Sequence, residues 1–171
     1  DKIGLILFSD KVEKYIPAKK GKDHVLYMVR ELITHQPHSA QTDIVQALNF
    51  LNGTTKHKSI VFILSDFADA GYHQALRVAA KRHDVIGVQA YDKRDAELPK
   101  AGMLQLRDAE TGNTVWLDSS DPFTRVQYNA QFQKILADAK SAFRSAGADL
   151  MQLATGEDYV KKLQEFFIRR S

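Results

Sequence analysis

The sequence predicts an α/β domain of the doubly wound type: a three-layer sandwich with helices on both faces of a mostly parallel sheet and a small β-hairpin insertion. Two observations support this fold class. Apolar runs of strand length alternate with segments of helical periodicity along the chain. The strongest runs, at residues 60–64 and 84–91, lack the polar alternation of a strand with one solvated face.

The beginning of the chain predicts a pair of strands. Residues 3–8 are continuously apolar, which is typical of a strand buried on both faces of a parallel sheet. Residues 12–16 alternate and stop at Pro17, so we expect a hairpin partner at the sheet edge.

Two helices are predicted next. Apolar residues recur at helical spacing across residues 22–34, and this helix should end before Pro37. The second helix begins with either Thr42 or Asp43 at its N-cap and closes at residues 52–53.

The middle of the chain predicts a buried strand at residues 60–64, covered on both faces, and then a helix at residues 72–83. Another buried strand follows at residues 84–91. Residues 103–107 and 114–117 form the hairpin insertion, with residues 110–113 as its turn.

The last third predicts helix, strand and helix. Asp121 and Pro122 open a long helix that Gly147 ends, and residues 148–153 form the last strand. Residues 155–158 cap the final helix. We expect its inward face to contain Tyr159, Val160, Leu163, Phe166 and Phe167.

Length and composition fit one domain that covers residues 1–171. The chain is 44% hydrophobic and 26% charged, which excludes a disordered or collagen-like chain. No apolar run approaches the ~18 residues of a membrane span, so we expect no membrane insertion by this segment. No signal peptide is visible. Cysteine is absent, which excludes disulfides and thiolate metal sites.

The net charge of +3 comes from 24 basic and 21 acidic residues that are interleaved along the chain. A mildly basic, evenly mixed chain without aromatic and basic residues in alternation does not favour base stacking. We therefore expect no nucleic-acid partner.

The candidate site lies where parallel strands end, because ligands of such sheets bind outside the carboxyl ends of the strands. Three loops qualify, at residues 9–10, 65–69 and 91–95. The hydroxyl of Thr42 and the carboxylate of Asp66 suit a hard divalent cation. The structural alternative is that Thr42 caps one helix and Asp66 caps the next.

Other chemistry has weaker sequence support. His35 and His38 have a spacing that two metal ligands can use, but a zinc site needs three or four. The chain contains no nucleophile elbow, dinucleotide fingerprint or P-loop. Asp66 could act as an aspartyl nucleophile in phosphoryl transfer, but that chemistry favours a second aspartate two residues on, where this chain has Ala68 and only then Asp69.

Several motifs together resemble a known family. Residues 1–10 are similar to the D-x-x-G-L-x-x-F second strand of von Willebrand factor A-type domains, and residues 41–48 to their T-x-[IL]-x-x-A-L helix start. Residues 60–66 are similar to their fourth strand, which ends in [ST]-D. The ending at Ser65, Asp66 and Phe67 resembles the bacterial branch called domain of unknown function 58. So do the turn at residues 108–112 and the C-terminal helix.

This resemblance implies a metal ion-dependent adhesion site. Thr42 would be the hydroxyl ligand, and Asp66 would bind the cation directly or through water. An acidic group on a partner protein would complete the coordination shell, so the implied chemistry is binding and not catalysis. We expect the polar residues at the same strand ends to contact the partner: Ser9, Asp10, Ser65 and Asp69.

The chain also departs from the family pattern. The family's first strand ends in D-x-S-x-S, which this sequence lacks, so we expect an N-terminally truncated fragment that begins at the second strand. Thr42 and Asp66 alone are too few ligands for tight Mg²⁺ binding. We therefore expect Mg²⁺ or Mn²⁺ in the full-length protein and none in this fragment.

The missing strand is central in the family, between the strands at residues 3–8 and 60–64. An open slot would leave backbone donors and acceptors unpaired. We expect one of three outcomes: the two strands close up, further residues of the protein occupy the slot, or another chain fills it, as in a homodimer.

The predicted function is therefore protein–protein interaction without enzymatic activity. Proteins that resemble this branch are often encoded beside MoxR-type AAA+ ATPases, and the resemblance implies such an ATPase as the partner. We expect a cytoplasmic location, with membrane association of the parent protein left open. The alternative is a metal-dependent phosphoryl-transfer enzyme that uses Asp66.

Overall fold

The computed structural model describes residues 1–108 and 111–170, which form seven strands, five α-helices and a short 3-10 helix at Lys93–Ala96. In chain order these are β1 (Ile3–Phe8), β2 (Val12–Lys19), α1 (Lys22–Thr34), α2 (Ile44–Thr54), β3 (Ile60–Ser65), α3 (His73–Arg82), β4 (Asp84–Tyr91), β5 (Met103–Arg107), β6 (Thr114–Asp118), α4 (Pro122–Ala146), β7 (Asp149–Ala154) and α5 (Tyr159–Arg170). The predicted hairpin turn includes Glu110, which lies outside the described residues.

The strands form three sheets among the described residues. β3, β4 and β7 form a parallel sheet with β4 in the middle. β1 pairs with β2, and β5 with β6, each as an antiparallel ribbon. The mixed α/β class with a parallel sheet is therefore confirmed, whereas β1 lies in its own ribbon and not in that sheet.

β4 is covered on both faces because its alternating residues enter two different cores. Val85 joins the larger cluster, which also contains residues of α2, α3 and α4 such as Leu76 and Phe143. Ile86 and Val88 join a smaller cluster with Phe166 of α5. Gly87 leaves room for the Phe143 ring, since a Cβ at this position would lie 2.5 Å from the Phe143 Cζ atom.

β3 differs from its predicted burial on both faces. Ile63 is buried in the larger cluster. On the opposite face Ile60, Phe62 and Leu64 are 65%, 45% and 68% exposed. The register pairs Phe62 with Ile86, so this face is the one that α5 covers on β4. The rings of Phe62 and Phe167 of α5 lie edge to face, with 6.3 Å between their centroids.

β1 and β2 also differ from the sequence expectations. β1 was expected to be buried on both faces, but it pairs antiparallel and Ile3 is 47% exposed. β2 continues through Pro17 to Lys19. A proline is compatible with this position because β2 has an edge without ladder partners among the described residues.

The helix ends follow their capping residues. Asp43, not Thr42, is the N-cap of α2, where its Oδ1 accepts a hydrogen bond from the amide of Gln46. Asp121 caps α4 through the amides of residues 123 and 124. Gly147 ends α4 with a φ of 70°, as the sequence predicted.

The outer helices leave apolar side chains exposed. On α5, Phe166 is buried as predicted, but Tyr159, Val160 and Phe167 are exposed. α1 likewise exposes most of its apolar stripe, including Leu26 and Ile33. None of the described helices combines the length and apolar character that crossing a bilayer requires.

The amino end of the parallel sheet contains a buried histidine. His83 directly precedes β4 and is 3% exposed, and neither ring nitrogen has a hydrogen-bond partner within the described residues. Burial, followed by the nearby charge of Arg82, lowers the pKa of His83 below its usual value. The neutral imidazole is therefore the form that the fold favours.

Candidate functional site

An acidic cavity of about 490 Å³ lies beside the carboxyl ends of β1 and β3. Its lining comes from the loops after both strands and from the start of α2: Asp10, Gln41, Thr42, Asp43, Val45, Asp69 and Ala70. Three of these seven residues are aspartates, and none of the seven is lysine or arginine. The cavity therefore favours positively charged groups.

Two of the aspartates are fixed by the amino end of α2. The Oδ2 atom of Asp69 accepts a hydrogen bond of 3.0 Å from the amide of Ile44. The Oδ1 atom of Asp43 accepts one of 3.0 Å from Gln46. Both carboxylates satisfy amides that a helix cannot pair internally, and the helix dipole favours their negative charge.

The structure brings Thr42, Asp10 and Asp69 together, as residues that line one cavity. The amide of Asp43 donates to the carbonyl of Ser9 at 2.9 Å, and this bond joins the start of α2 to the end of β1. The structural alternative for Thr42 was a role as helix cap, and Asp43 fills that role.

Ser65 is the last residue of β3 and Asp66 follows it, and neither is among the residues that line the cavity. The Oδ1 atom of Asp66 accepts a hydrogen bond of 3.1 Å from the amide of Ala68. Ser65 Oγ accepts one of 3.1 Å from the amide of Phe67. Asp66 thus closes a local turn, and it does not cap α3, whose first residue is His73.

Ser9 is the predicted contact residue least accessible to a partner. It is buried, and its hydroxyl donates to Glu13 at 2.5 Å and lies 3.1 Å from Asp10 Oδ1. A partner could reach this hydroxyl only if Glu13 released it.

Glu13 organises the loop that leads to the cavity, and sequence reasoning missed it. Its side chain is 1% exposed and accepts hydrogen bonds from His35 Nε2 at 2.5 Å and from the His38 amide at 2.9 Å. The hydrogen bond from Ser9, helped by those from the two histidines, lowers the pKa of Glu13 to about 2. The sequence signal for Glu13 was an acidic residue within a strand that was predicted to lie at the sheet edge.

In the structure, His35 and His38 are hydrogen-bond donors to Glu13. Across residues 1–108 and 111–170, no three histidine, aspartate or glutamate side chains are grouped so that they could hold a metal ion. Thr42 and Asp69 offer oxygen ligands in the cavity, but the described residues do not complete a metal site by themselves.

Gln89 is a second residue that sequence reasoning missed. It is fully buried on β4, and its Nε2 atom donates to the carbonyl of Asp66 at 2.8 Å. Phe67, which follows Asp66 in the chain, has a φ of 57°, the left-handed conformation that residues other than glycine rarely adopt. The sequence signal for Gln89 was an amide side chain within an otherwise apolar strand.

The fold and the cavity define a mixed α/β domain with an acidic cleft where its strands end. The chain belongs to the family described as protein of unknown function DUF58, whose family model matches residues 1–137. The family assignment made from the sequence motifs is thereby confirmed at the level of this branch.

The similar proteins are uncharacterized mycobacterial proteins. The chain is 29% identical over 173 residues to proteins of Mycobacterium tuberculosis and Mycobacterium bovis, which match 99% of this chain and 54% of their own length. It therefore spans about half the length of these relatives. A Mycobacterium avium protein is 29% identical over 154 residues, covering 88% of this chain and 90% of its own length.

One solved structure shares the fold. It is an aerotolerance-related membrane protein from Bacteroides fragilis, with a TM-score of 0.55 and 15% sequence identity. The match covers 100% of this chain and 80% of that protein's chain. At this identity the similarity concerns the fold alone.

Proposed function

We propose that this domain is a protein-interaction module of the von Willebrand factor A-like type, with no enzymatic activity of its own, and that it binds a partner at the acidic cavity. The observation that carries the proposal is the convergence of Asp10, Thr42 and Asp69 from three separate segments on one open, acidic cavity. Such a surface attracts a complementary positive group and excludes like-charged partners.

A divalent cation is the proposed bridge in the longer protein. Carboxylate and hydroxyl oxygens suit Mg²⁺ or Mn²⁺. Because the described residues do not complete such a site, we propose that the remaining ligands come from outside this segment, and that the segment alone holds no metal.

A MoxR-type AAA+ ATPase is the partner we propose, in the cytoplasm. The support for this partner is the family resemblance. The test measures binding of the full-length protein to the MoxR-type ATPase of the same organism, by titration calorimetry in the presence of Mg²⁺. Asp10→Asn and Asp69→Asn, which each remove a charge from the lining of the cavity, should each weaken binding at least about tenfold, equivalent to ~1.4 kcal/mol.

The matched control is Glu165→Gln, which removes a negative charge from the exposed surface of α5. This variant should bind within about twofold of the natural protein, since an isolated surface charge contributes little. Unchanged binding in both aspartate variants would contradict the proposed surface, and failure of the natural protein to bind would exclude this partner.

The alternative function is phosphoryl transfer by Asp66. The observation that keeps it open is the position of this carboxylate in a strand-end loop, where an aspartyl nucleophile acts in other α/β proteins. Hydrolysis of p-nitrophenyl phosphate that disappears in Asp66→Ala would support the enzyme. Absence of turnover in the natural protein would support the binding module.

We also propose that a second copy can associate through the open strands. Among the described residues β1 pairs only with β2, and β3 only with β4, so each has an edge available for strand addition. Sedimentation velocity across a concentration series tests this association. A single monomeric species at all concentrations would contradict it.

A further inference from the structure

Two side-chain amides, the buried Gln89 and the half-buried Gln152, cross the parallel sheet near its carboxyl end. The strand register places Gln89 of β4 between Ser65 of β3 and Gln152 of β7. Paired residues of neighbouring strands point to the same face, so all three share the face that packs against α4. Gln89 is 0% exposed, so its amide must find partners within the protein.

The amide of Gln89 is satisfied at both ends. Its Oε1 atom accepts a hydrogen bond of 2.9 Å from Gln152 Nε2, which also lies 3.1 Å from the carbonyl of Leu136 on α4. Its Nε2 atom donates to the carbonyl of Asp66 at 2.8 Å. Because only the nitrogen donates and only the oxygen accepts, the Gln152 contact orients the Gln89 nitrogen toward the loop.

The acceptor of this bond belongs to the peptide that joins Asp66 to Phe67. Phe67 has a φ of 57° and is the only non-glycine residue with positive φ in the part of the chain that the structure describes. Such a conformation costs free energy and persists only where the surroundings impose it. The buried Phe67 ring, edge to face with Phe143 at 5.0 Å, supplies one restraint, and Gln89 supplies the other.

The direction of this peptide determines where the loop goes next. Asp66 Oδ1 accepts from the amide of Ala68, and Asp69 Oδ2 accepts from the amide of Ile44 at the start of α2. A rotation of the Asp66–Phe67 peptide would therefore turn the Asp66 carboxylate and shift Asp69 together.

We propose that Gln89 is a positioning residue for the candidate site: its buried amide fixes the peptide between Asp66 and Phe67 and so determines where the carboxylates of the loop point. The structural role stands on the hydrogen bonds above, whereas its importance for partner binding rests on the proposed function. The closing experiment separates these two parts.

The test compares Gln89→Met with Gln152→Met. Both replace a glutamine of the same hydrogen-bond network, but only the first removes the donor to Asp66. Amide hydrogen exchange, resolved by NMR, should be about tenfold faster at Phe67 and Ala68 in Gln89→Met than in Gln152→Met. A merely structural role would accelerate exchange to the same extent in both variants, and that result overturns the proposal.

If Gln89→Met does not fold, Gln89→Asn against Gln152→Asn makes the same comparison, because the shorter amide cannot span the contact with Asp66. The second measurement is binding to the MoxR-type ATPase, which should weaken at least about tenfold in the Gln89 variant only. If the natural protein does not bind the ATPase, the proposed function fails, and the exchange comparison still decides the role of Gln89.

Discussion

β3 and β4 are neighbouring parallel strands with similarly apolar sequences, and they end in different environments. β4 lies between two strands and beneath helices on both faces, and Ile86 is 0% exposed. β3 is an outer strand with one face in a core and the other largely exposed, and Ile60 is 65% exposed. The apolar run identifies a strand in both cases, but what covers each face depends on the position of the strand in the sheet.

The largest expected effect comes from truncating the same residue type on each strand. Ile86→Ala should lower the free energy of unfolding by about 2–5 kcal/mol, because it removes buried methyl groups and leaves a cavity. Ile60→Ala should change it by no more than about 0.5 kcal/mol, because its side chain is mostly in water. Urea denaturation of both variants provides the measurement.

A large loss in the free energy of unfolding of Ile60→Ala would contradict this difference between β3 and β4. It would mean that the exposed face of β3 is covered in solution, and a dependence of that cost on protein concentration would identify a second copy as the cover.

The second effect tests how closely the larger core packs on β4. Gly87→Ala places a Cβ 2.5 Å from Phe143 Cζ and 2.7 Å from Leu150 Cδ1, so it should destabilise the protein by about 1–3 kcal/mol. Gly53→Ala in α2 meets no atom within 4 Å and should stabilise it by about 0.5–1 kcal/mol. Thermal unfolding measures both, and a neutral Gly87→Ala would show that Phe143 can move aside.

The smallest expected effect is a pH dependence at the start of β4. The folded-state pKa of His83 lies below its unfolded value, so the unfolded state takes up the proton first as the pH falls. Above the unfolded pKa near 6.5 this histidine contributes no pH dependence, and below it stability decreases until the folded pKa is reached. The melting temperature should therefore fall between pH 7.5 and pH 5.5.

His83→Leu should flatten this dependence, because a buried apolar side chain does not titrate. The control is His57→Leu, which alters the exposed histidine shortly before β3 and should retain the full dependence. A pH profile that survives unchanged in His83→Leu would assign the effect to another group.

The sequence predicted the positions of helices and strands well, but it predicted poorly what covers each of them. α1 lies where its periodicity placed it, β4 lies where its apolar run placed it, and Gly147 ends α4 as predicted. These features depend on local backbone preferences, which a single sequence contains. The exposed face of β3 and the separate ribbon of β1 depend on which elements meet in space, and no local pattern records that.

The same distinction applies to the candidate site. Thr42 and Asp69 were identified because polar residues at strand ends are a local signal, and the structure places both on the acidic cavity. Gln89 and Glu13 were missed because their partners, Asp66 and His35, lie 23 and 22 positions away in the sequence. Only the folded chain reveals that these buried groups hold the loops of the site.

Pro17 makes the edge of β2 a poorer site for strand addition than the edges of β1 and β3. A proline cannot donate to a further strand, and the exposed Lys19 on the same strand would repel a second copy of it. The edges of β1 and β3 have no such obstacle within the described residues. Strand addition by another copy is therefore directed away from the β2 edge of the molecule and toward those edges.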